Sequence, residues 1–316
     1  MATTTTITTT YAGEFASKYI AAALLSSPTI ENGGVEILPN VKYKQVIQKV
    51  ATGDLLANGS CDFSATSSVT LTERILEVKE LQVNLQLCKK DFRSTWQGIE
   101  MGFSNFDVLP KSFADFLIAH VAEKVAAANE VNIWRGVGAT AGQFAGLGTQ
   151  IALDANLPAA QEVAGTTVTA ANVIAELGKI VDAIPATLYG KESLSIYVAQ
   201  NIYKAYVRAL GGFGANGLGG SGVNGQGNNQ ALGDLMFDGV KLFVAEGLLP
   251  NTAIAAEKDN LYFGVSLLAD TNEVKVIDMS DIDGSQNVRV VMRMSAGTQY
   301  GIIEDIVTYG IVNSAN

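Results

Sequence analysis

The sequence predicts an α+β fold, and three observations carry that prediction. Leu81, Val83, Leu85 and Leu87 alternate with Gln82, Asn84 and Gln86, the period-two pattern of a half-buried strand. After Pro110, Phe113, Phe116, Leu117, Val121, Val125 and Ala128 recur at spacings of three and four, as on one face of a helix. The C-terminal third then turns strand-rich, so helices and strands occupy different stretches of one chain. No repeat with a period of 20 to 50 residues is visible, which argues against a solenoid or propeller.

The elements follow in order. Residues 2 to 10 are nearly all Thr, a tract with no apolar face to offset the entropy of ordering, and it reads as a free arm. From Tyr11 to Leu25, Phe15, Tyr19, Ala22 and Ala23 fall at helical spacing, and Pro28 is expected to stop any helix there. Val41, Tyr43 and Gln45 alternate with Lys42, Lys44 and Val46, and the turn-rich stretch from Gly53 to Ser68 separates them from a second strand beginning at Val69. Together these predict a long hairpin. Leu76 and Val78 are out of phase with Leu81 to Leu87, so a bulge or break is expected near Lys79 and Glu80. If Ile75 to Cys88 were one strand it would reach ~46 Å, against a radius of gyration of ~20 Å for a compact chain of this length, so part of it would overhang the body.

Ser112 and Asp115 form a capping-box pattern, and the helix they open should run to about Trp134, before Gly136. A second amphipathic helix places Val173, Ile174, Leu177, Ile180, Val181 and Ile184 on one stripe and ends at Pro185. Leu194 to Ala199 reads as a strand, and Asn201 as the cap of a helix carrying Ile202, Tyr206, Val207 and Leu210. Gly211 to Gly227, with nine Gly in seventeen residues, is a loop; strands are expected at Val240 to Ala245, Val274 to Ile277, Val288 to Met294 and Ile302 to Val312.

Composition narrows the function. With 316 residues and 48% hydrophobic content the chain can bury a sizeable core, as one large domain or two lobes. Charged residues are only 16%, so much of the surface must be Thr, Ser, Asn and Gln, which suits a surface covered in an assembly. A net charge of -10 has the wrong sign for gaining affinity by releasing counterions from phosphate. Cys61 and Cys88 form no CxxC pair and no disulfide framework, which fits a reducing compartment. The N-terminus lacks a basic region before an apolar core, and no run approaches the ~18 apolar residues of a membrane span.

Motifs for chemistry are sparse. Gly212 to Gly217 and Gly220 to Gly225 both match GxGxxG, but a dinucleotide site needs that turn between a strand and a helix, and here it follows a helix inside a Gly tract. Asp278, Asp281 and Asp283 with Gly284 suggest a calcium loop, yet in EF-hand register the first and twelfth positions are Met279 and Val290, so an acidic turn between strands is the reading, with an irregular ion site as the alternative. His120 is the sole histidine, on or near the apolar stripe of the 112 to 134 helix, and is read as a core or interface residue. Asn58-Gly59-Ser60 is a formal sequon without an export signal. No catalytic, cofactor-binding or metal residues are assigned, and an assembly protein is the reading that remains.

A resemblance now adds to this. The run Leu81-Gln82-Val83-Asn84-Leu85-Gln86-Leu87-Cys88-Lys89-Lys90-Asp91-Phe92 leading to Trp96, with Met101-Gly102 and Leu109-Pro110 before the long helix, resembles major capsid proteins of tailed phages. So do Gly34-Val35-Glu36-Ile37-Leu38-Pro39-Asn40-Val41-Lys42, Ser195-Ile196-Tyr197-Val198-Ala199, Leu248-Leu249-Pro250-Asn251-Thr252 and Asn260-Leu261-Tyr262-Phe263-Gly264. Each pattern is diffuse; their order from Tyr11 to Val312 is the stronger signal.

The resemblance implies an N-terminal arm over residues 1 to 40, an extended hairpin loop over 41 to 92, a peripheral domain over 93 to 167 with 112 to 134 as its spine helix, an axial domain over 168 to 285, and strands over 286 to 316 returning to the peripheral domain. It implies a non-enzymatic subunit whose partners are copies of itself, in pentamers and hexamers of an icosahedral virion capsid, together with a portal and a scaffolding protein. Double-stranded DNA would be enclosed without sequence-specific binding, and assembly would take place in the bacterial host cytoplasm, away from any membrane. Because the arm starts almost at Met1, scaffolding is expected as a separate chain. Some relatives crosslink Lys to Asn between neighbours, and Lys44 and Lys49 lie on the corresponding loop. Three alternatives stay open on the sequence: an encapsulin-type compartment, an exported surface-array or adhesin-like protein, and a nucleotide-dependent enzyme using the Gly loop.

Overall fold

The computed structural model describes residues 28–52, 67–89, 111–210, 235–266 and 274–313, with isolated positions between 53 and 66. The predicted helix over Tyr11 to Leu25, the Thr tract and the Gly211 to Gly227 loop lie outside the described residues. Pro28 opens a helical turn, α1 (Pro28–Glu31), instead of only ending one. Proline suits the first turn of a helix, where its missing N–H has no partner to lose.

Three β assemblies organise the rest. A two-stranded ribbon joins β2 (Lys44–Thr52) to β3 (Val69–Glu77) in antiparallel register, with Lys44 opposite Glu77 and Thr52 opposite Val69. A five-stranded sheet runs β1 (Glu36–Leu38), β10 (Leu261–Val265), β12 (Asn287–Tyr300) and β11 (Val274–Asp278), with β4 (Lys79–Cys88) also paired to β12. A six-stranded sheet has the order β5 (Glu162–Val163), β13 (Val307–Tyr309), β9 (Ala253–Glu257), β6 (Leu194–Val198), β8 (Val240–Val244) and β7 (Met236–Phe237). The Asp238-Gly239 turn between β7 and β8 has both residues at positive φ, 45° and 80°, the backbone that a two-residue hairpin needs.

The long helix α2 (Lys111–Arg135) lies where the 3.6-residue spacing put it. Its Leu117 and Val121 pack with Val288 and Val290 of β12 and with Val83, Leu85 and Leu87 of β4. The C-terminal turn of α2 buries Ile133 and Trp134, and α3 (Leu147–Ile151) packs beside it. Trp134, Tyr197 and Phe243 form a chain of tilted rings at 5.1 and 5.2 Å that ties α2 to the six-stranded sheet. On the other face of that sheet, α4 (Val173–Asp182) and α5 (Gln200–Ala209) bury Val173, Leu177, Ile180, Ile202, Ala205 and Tyr206.

The structure corrects several expectations. The hairpin's second arm ends at Glu77, and the chain breaks at Val78, beside the expected Lys79 and Glu80. Beyond the break, β4 does not overhang the body: all ten of its residues pair with β12, from Lys79 opposite Ala296 to Cys88 opposite Asn287. The alternation read from sequence was real, but its apolar face meets α2, so the extended hairpin occupies less than 41 to 92. β12 runs on past Met294 through Ser295, Ala296, Gly297 and Thr298 to Tyr300, small residues that carry no alternation signal yet pair with β10. The strand expected over Ile302 to Val312 is a 3₁₀ turn at Ile303–Asp305 followed by the short β13, because Asn260 Oδ1 accepts the N–H groups of Gly301 and Ile302 and ends the ladder there.

Asn201 does not cap α5, whose N-cap is Ala199. Its side chain instead exchanges hydrogen bonds with Asn251, at 2.8 and 3.0 Å, and holds that residue at φ 63°. Ile174 is exposed, off the buried stripe of α4. Strands β1, β5, β7, β9 and β10 were not anticipated. The sheets also cross the expected domain limits: β10 and β11 join the five-stranded sheet from within 168 to 285, and β13 joins the six-stranded sheet from within 286 to 316.

Candidate assembly surface

The ribbon has two unlike faces, and strand alternation assigns them. On one, Val46 lies opposite Ile75, Val50 opposite Leu71, and Val69 closes the row opposite Thr52. These apolar side chains are exposed by 48, 46, 61, 67 and 65% for Val46, Ile75, Val50, Leu71 and Val69. On the same face the Gln48–Glu73 pair separates Val46 and Ile75 from Val50, Leu71 and Val69, and Lys44 and Glu77 flank the first pair. A two-stranded ribbon is marginal in water, and exposed apolar pairs set among polar residues suit an interaction site.

The opposite face is fastened to the body. Arg74 Nη2 donates to Asp154 Oδ2 at 2.5 Å, and Arg74 Nη1 donates to the Tyr300 hydroxyl at 3.1 Å. Tyr300 Oη donates in turn to Asp154 Oδ2 at 2.7 Å, and the guanidinium stacks 4.4 Å from the Tyr300 ring centroid. Burial alone would raise the Asp154 carboxyl, but the Asn156 N–H, the Tyr300 hydroxyl and Arg74 together outweigh it and hold its pKa at about 2. Burial pushes the Tyr300 hydroxyl up, and Asp154 reinforces that. Further along, Lys49 pairs with Glu304 at 2.8 Å. A cleft of about 750 Å³ lies between ribbon and body, bordered by these groups.

At the ribbon's base the contact is apolar. Leu76 is fully buried with Val41 and Val78. It sits so close to Gly264 that a Cβ there would meet Leu76 Cδ2 at 2.3 Å, while a Cβ on Gly297 would meet the Glu77 carbonyl oxygen at 2.2 Å. Two glycines in adjacent strands thus let the ribbon leave the body where it does.

The chain ahead of the ribbon is anchored independently. Glu130, fully buried on α2, accepts from the Thr29 N–H at 3.1 Å, from Thr29 Oγ1 at 2.6 Å and from Trp134 Nε1 at 3.1 Å. Tyr197 donates to the Gly34 carbonyl at 2.5 Å.

The residues weighed for chemistry are scattered. His120 is half-buried on α2 and Cys88 half-buried at the end of β4; Cys61 and the Gly-rich loop lie outside the described residues. Asp278 forms an ion pair with the buried Lys89 and accepts from Ser280, Asp283 accepts from the Ser285 N–H, and between β11 and β12 the expected acidic turn is a single helical turn, Ser280–Asp283, ended by Gly284 at positive φ. Lys44 pairs with Glu77 at 3.1 Å. Among the described residues, no group of three or more His, Cys, Asp or Glu converges as a metal cage, and no helix is long and apolar enough to cross a membrane.

No family model and no curated protein matches the sequence. The fold does match solved structures. The capsid of a native GTA particle superposes with a TM-score of 0.62 at 13% identity, over 94% of this chain and 94% of that one. A structure from Mycobacterium phage Adephagia gives 0.58 at 15% identity, over 92% and 91%, and the capsid structure of Cyanophage P-SCSP1u gives 0.57 at 12%, over 97% and 93%. The chain therefore has an α+β phage-capsid fold along nearly its whole length. The order of the diffuse sequence patterns had implied a fold of this kind.

Proposed function

We propose that this chain is a major capsid protein, a structural subunit whose work is to assemble with copies of itself into an icosahedral virion shell. The observation that carries the reading is the ribbon: one face is pinned to its own body through Arg74, Asp154 and Tyr300, while the other offers Val46, Val50, Val69, Leu71 and Ile75 to something outside the chain. A capsid fold spanning the chain makes a neighbouring copy the natural cover. Obligate contacts of this type bury about 2,000–5,000 Å² each, enough for a closed shell to be stable.

In this reading residues 1 to 40 are the arm and the ribbon is the extended loop. The α2 side with the five-stranded sheet is the peripheral part, and the six-stranded sheet with α4 and α5 is the axial part. Pentamers and hexamers enclose double-stranded DNA, and the acidic balance of 31 Asp and Glu against 21 Lys and Arg keeps the wall from adhering to it. A portal and a separate scaffolding protein complete the particle, which is assembled in the bacterial host cytoplasm. No catalytic step is assigned to the subunit. Electron microscopy of the purified recombinant chain tests this directly: rings, tubes or shells are expected, and a population that stays monomeric at assembly concentrations would refute it.

A further inference from the structure

A pocket of about 280 Å³ opens where the end of α2 meets α3 and the turn from β8 to β9. Buried Trp134, Gly148 and Leu248 line its inner side, and Leu153, Leu249 and Ile311 its outer side. Leu153 and Leu249 are 65% and 50% exposed, and Val312, the residue after Ile311, is 79% exposed. Large aliphatic side chains left in water around an apolar hollow suit an interaction site. The only charge in the lining is Arg135, the exposed last residue of α2, and no acid among the described residues pairs with it. The ribbon's outward face has the complementary make-up: apolar pairs with Glu73 between them, exposed and without a cation paired to it among the described residues. Within one copy the two surfaces cannot meet. Arg74 holds the opposite face of the ribbon against Asp154 and Tyr300, so the face that carries Glu73 points away from the body that carries the pocket.

We propose that this pocket is the seat for the ribbon of a second copy, with Val50 and Leu71 received between Leu153 and Leu249 and with Glu73 paired to Arg135. The inference rests on the capsid reading above and adds to it the surface that receives the ribbon. Contact between two different patches is head-to-tail: every copy gives a ribbon and receives one, so the contact propagates into a ring if its rotation closes, whereas a self-complementary twofold contact stops at a dimer. Leu153 borders both this pocket and the cleft beneath the resident ribbon, so the arriving ribbon lies beside the resident one's clasp. The charge pair supplies register, since aliphatic contacts alone tolerate sliding while a displaced Glu73 would leave Arg135 unpaired.

The test mixes two full-length populations in which Cys61→Ser and Cys88→Ala remove the native thiols, one carrying Leu71→Cys and the other Leu249→Cys. The mixture is oxidised under assembly conditions and mapped by mass spectrometry. A disulfide from 71 to 249 forms only between copies and is expected here, while Leu71→Cys mixed with Ile174→Cys, an equally exposed position on α4, should give none. Charge reversal reads the same contact without cysteines. Glu73→Arg and Arg135→Glu should each raise the concentration needed for assembly by about tenfold or more, because like charges then face each other, and the two combined in one chain should restore it. Assemblies that form without the 71-to-249 disulfide and without rescue in the combined reversal overturn the seat, leave the pocket to another occupant and leave the capsid reading standing. A chain that forms neither assemblies nor the disulfide sinks both. If the cysteine chains fail to fold, the reversals decide alone, and two losses without mutual rescue refute the proposal.

Discussion

Asp154 gathers the Asn156 N–H, the Tyr300 hydroxyl and the Arg74 guanidinium on one carboxyl, and the last of these reaches it from the ribbon. Its folded-state pKa is depressed from 3.8 to about 2, so the carboxylate's contribution to stability is complete above pH ~4 and is lost as pH falls towards 2. Asp154→Asn is expected to lower stability at pH 7 by on the order of 2 kcal/mol and to flatten the stability profile across that acid window. Urea unfolding at pH 7 and at stepped acid pH measures both; an unchanged slope below pH 4 would show that Asp154 is not the titrating group. Thr29→Val removes the hydroxyl that both donates to Glu130 and accepts from Trp134, leaving a buried carboxylate with fewer donors, and should cost about 1–3 kcal/mol in the same assay. Neither cluster was legible in the sequence. Arg74 and Asp154 are 80 residues apart and Thr29 and Glu130 are 101 apart, with no local pattern that announces such pairs.

Elements announced themselves in proportion to their periodicity. β4 has one apolar face and α2 has one through Leu117, Val121 and Val125, giving way to the buried Glu130 and Asn132 further on, and both elements stand where the spacing put them. β9, with the sequence Ala-Ile-Ala-Ala-Glu, is buried along its first four residues and flanked by strands on both sides, so tertiary pairing overrides helix-forming composition. β4 was read correctly as a strand but attached to the wrong partner, because alternation says which face is apolar and not what covers it. The break at Val78 is what separates ribbon from body, and Leu76 seated over Gly264 fixes the departure. Gly264→Ala should therefore destabilise by about 1–3 kcal/mol through overpacking, and Leu76→Ala by about 2–5 kcal/mol through the cavity it leaves. Combined, the two changes compensate: the added methyl fills part of the removed side chain's space, and the double variant should be more stable than the sum of the singles by about 0.5–3 kcal/mol. Strict additivity in thermal or urea unfolding would mean that the two residues do not share this contact.

At the scale of the whole molecule, the order of weak patterns from Tyr11 to Val312 pointed to a fold that solved structures share at only 12–15% identity. Such a fold is specified by where apolar faces and small residues fall along the chain, which tolerates almost complete replacement of the side chains themselves. The proposed assembly turns on the ribbon's exposed apolar pairs. Replacing Val50 with Lys and Leu71 with Glu puts opposite charges across the ladder from each other, so the ribbon keeps a favourable cross-strand pair while its outward face loses two apolar groups that are 61% and 67% exposed. Because neither side chain is part of the chain's own core, the unfolding midpoint of the unassembled double variant should stay within about 2 °C of the parent, as for surface changes of less than about 0.5 kcal/mol. Shell formation should nevertheless fail, since each interface would have to bury a charged pair where it buried two aliphatic side chains. Sedimentation velocity and electron microscopy of parent and variant at matched concentration separate the two effects: normal shells from the variant would place the assembly contact elsewhere on the molecule.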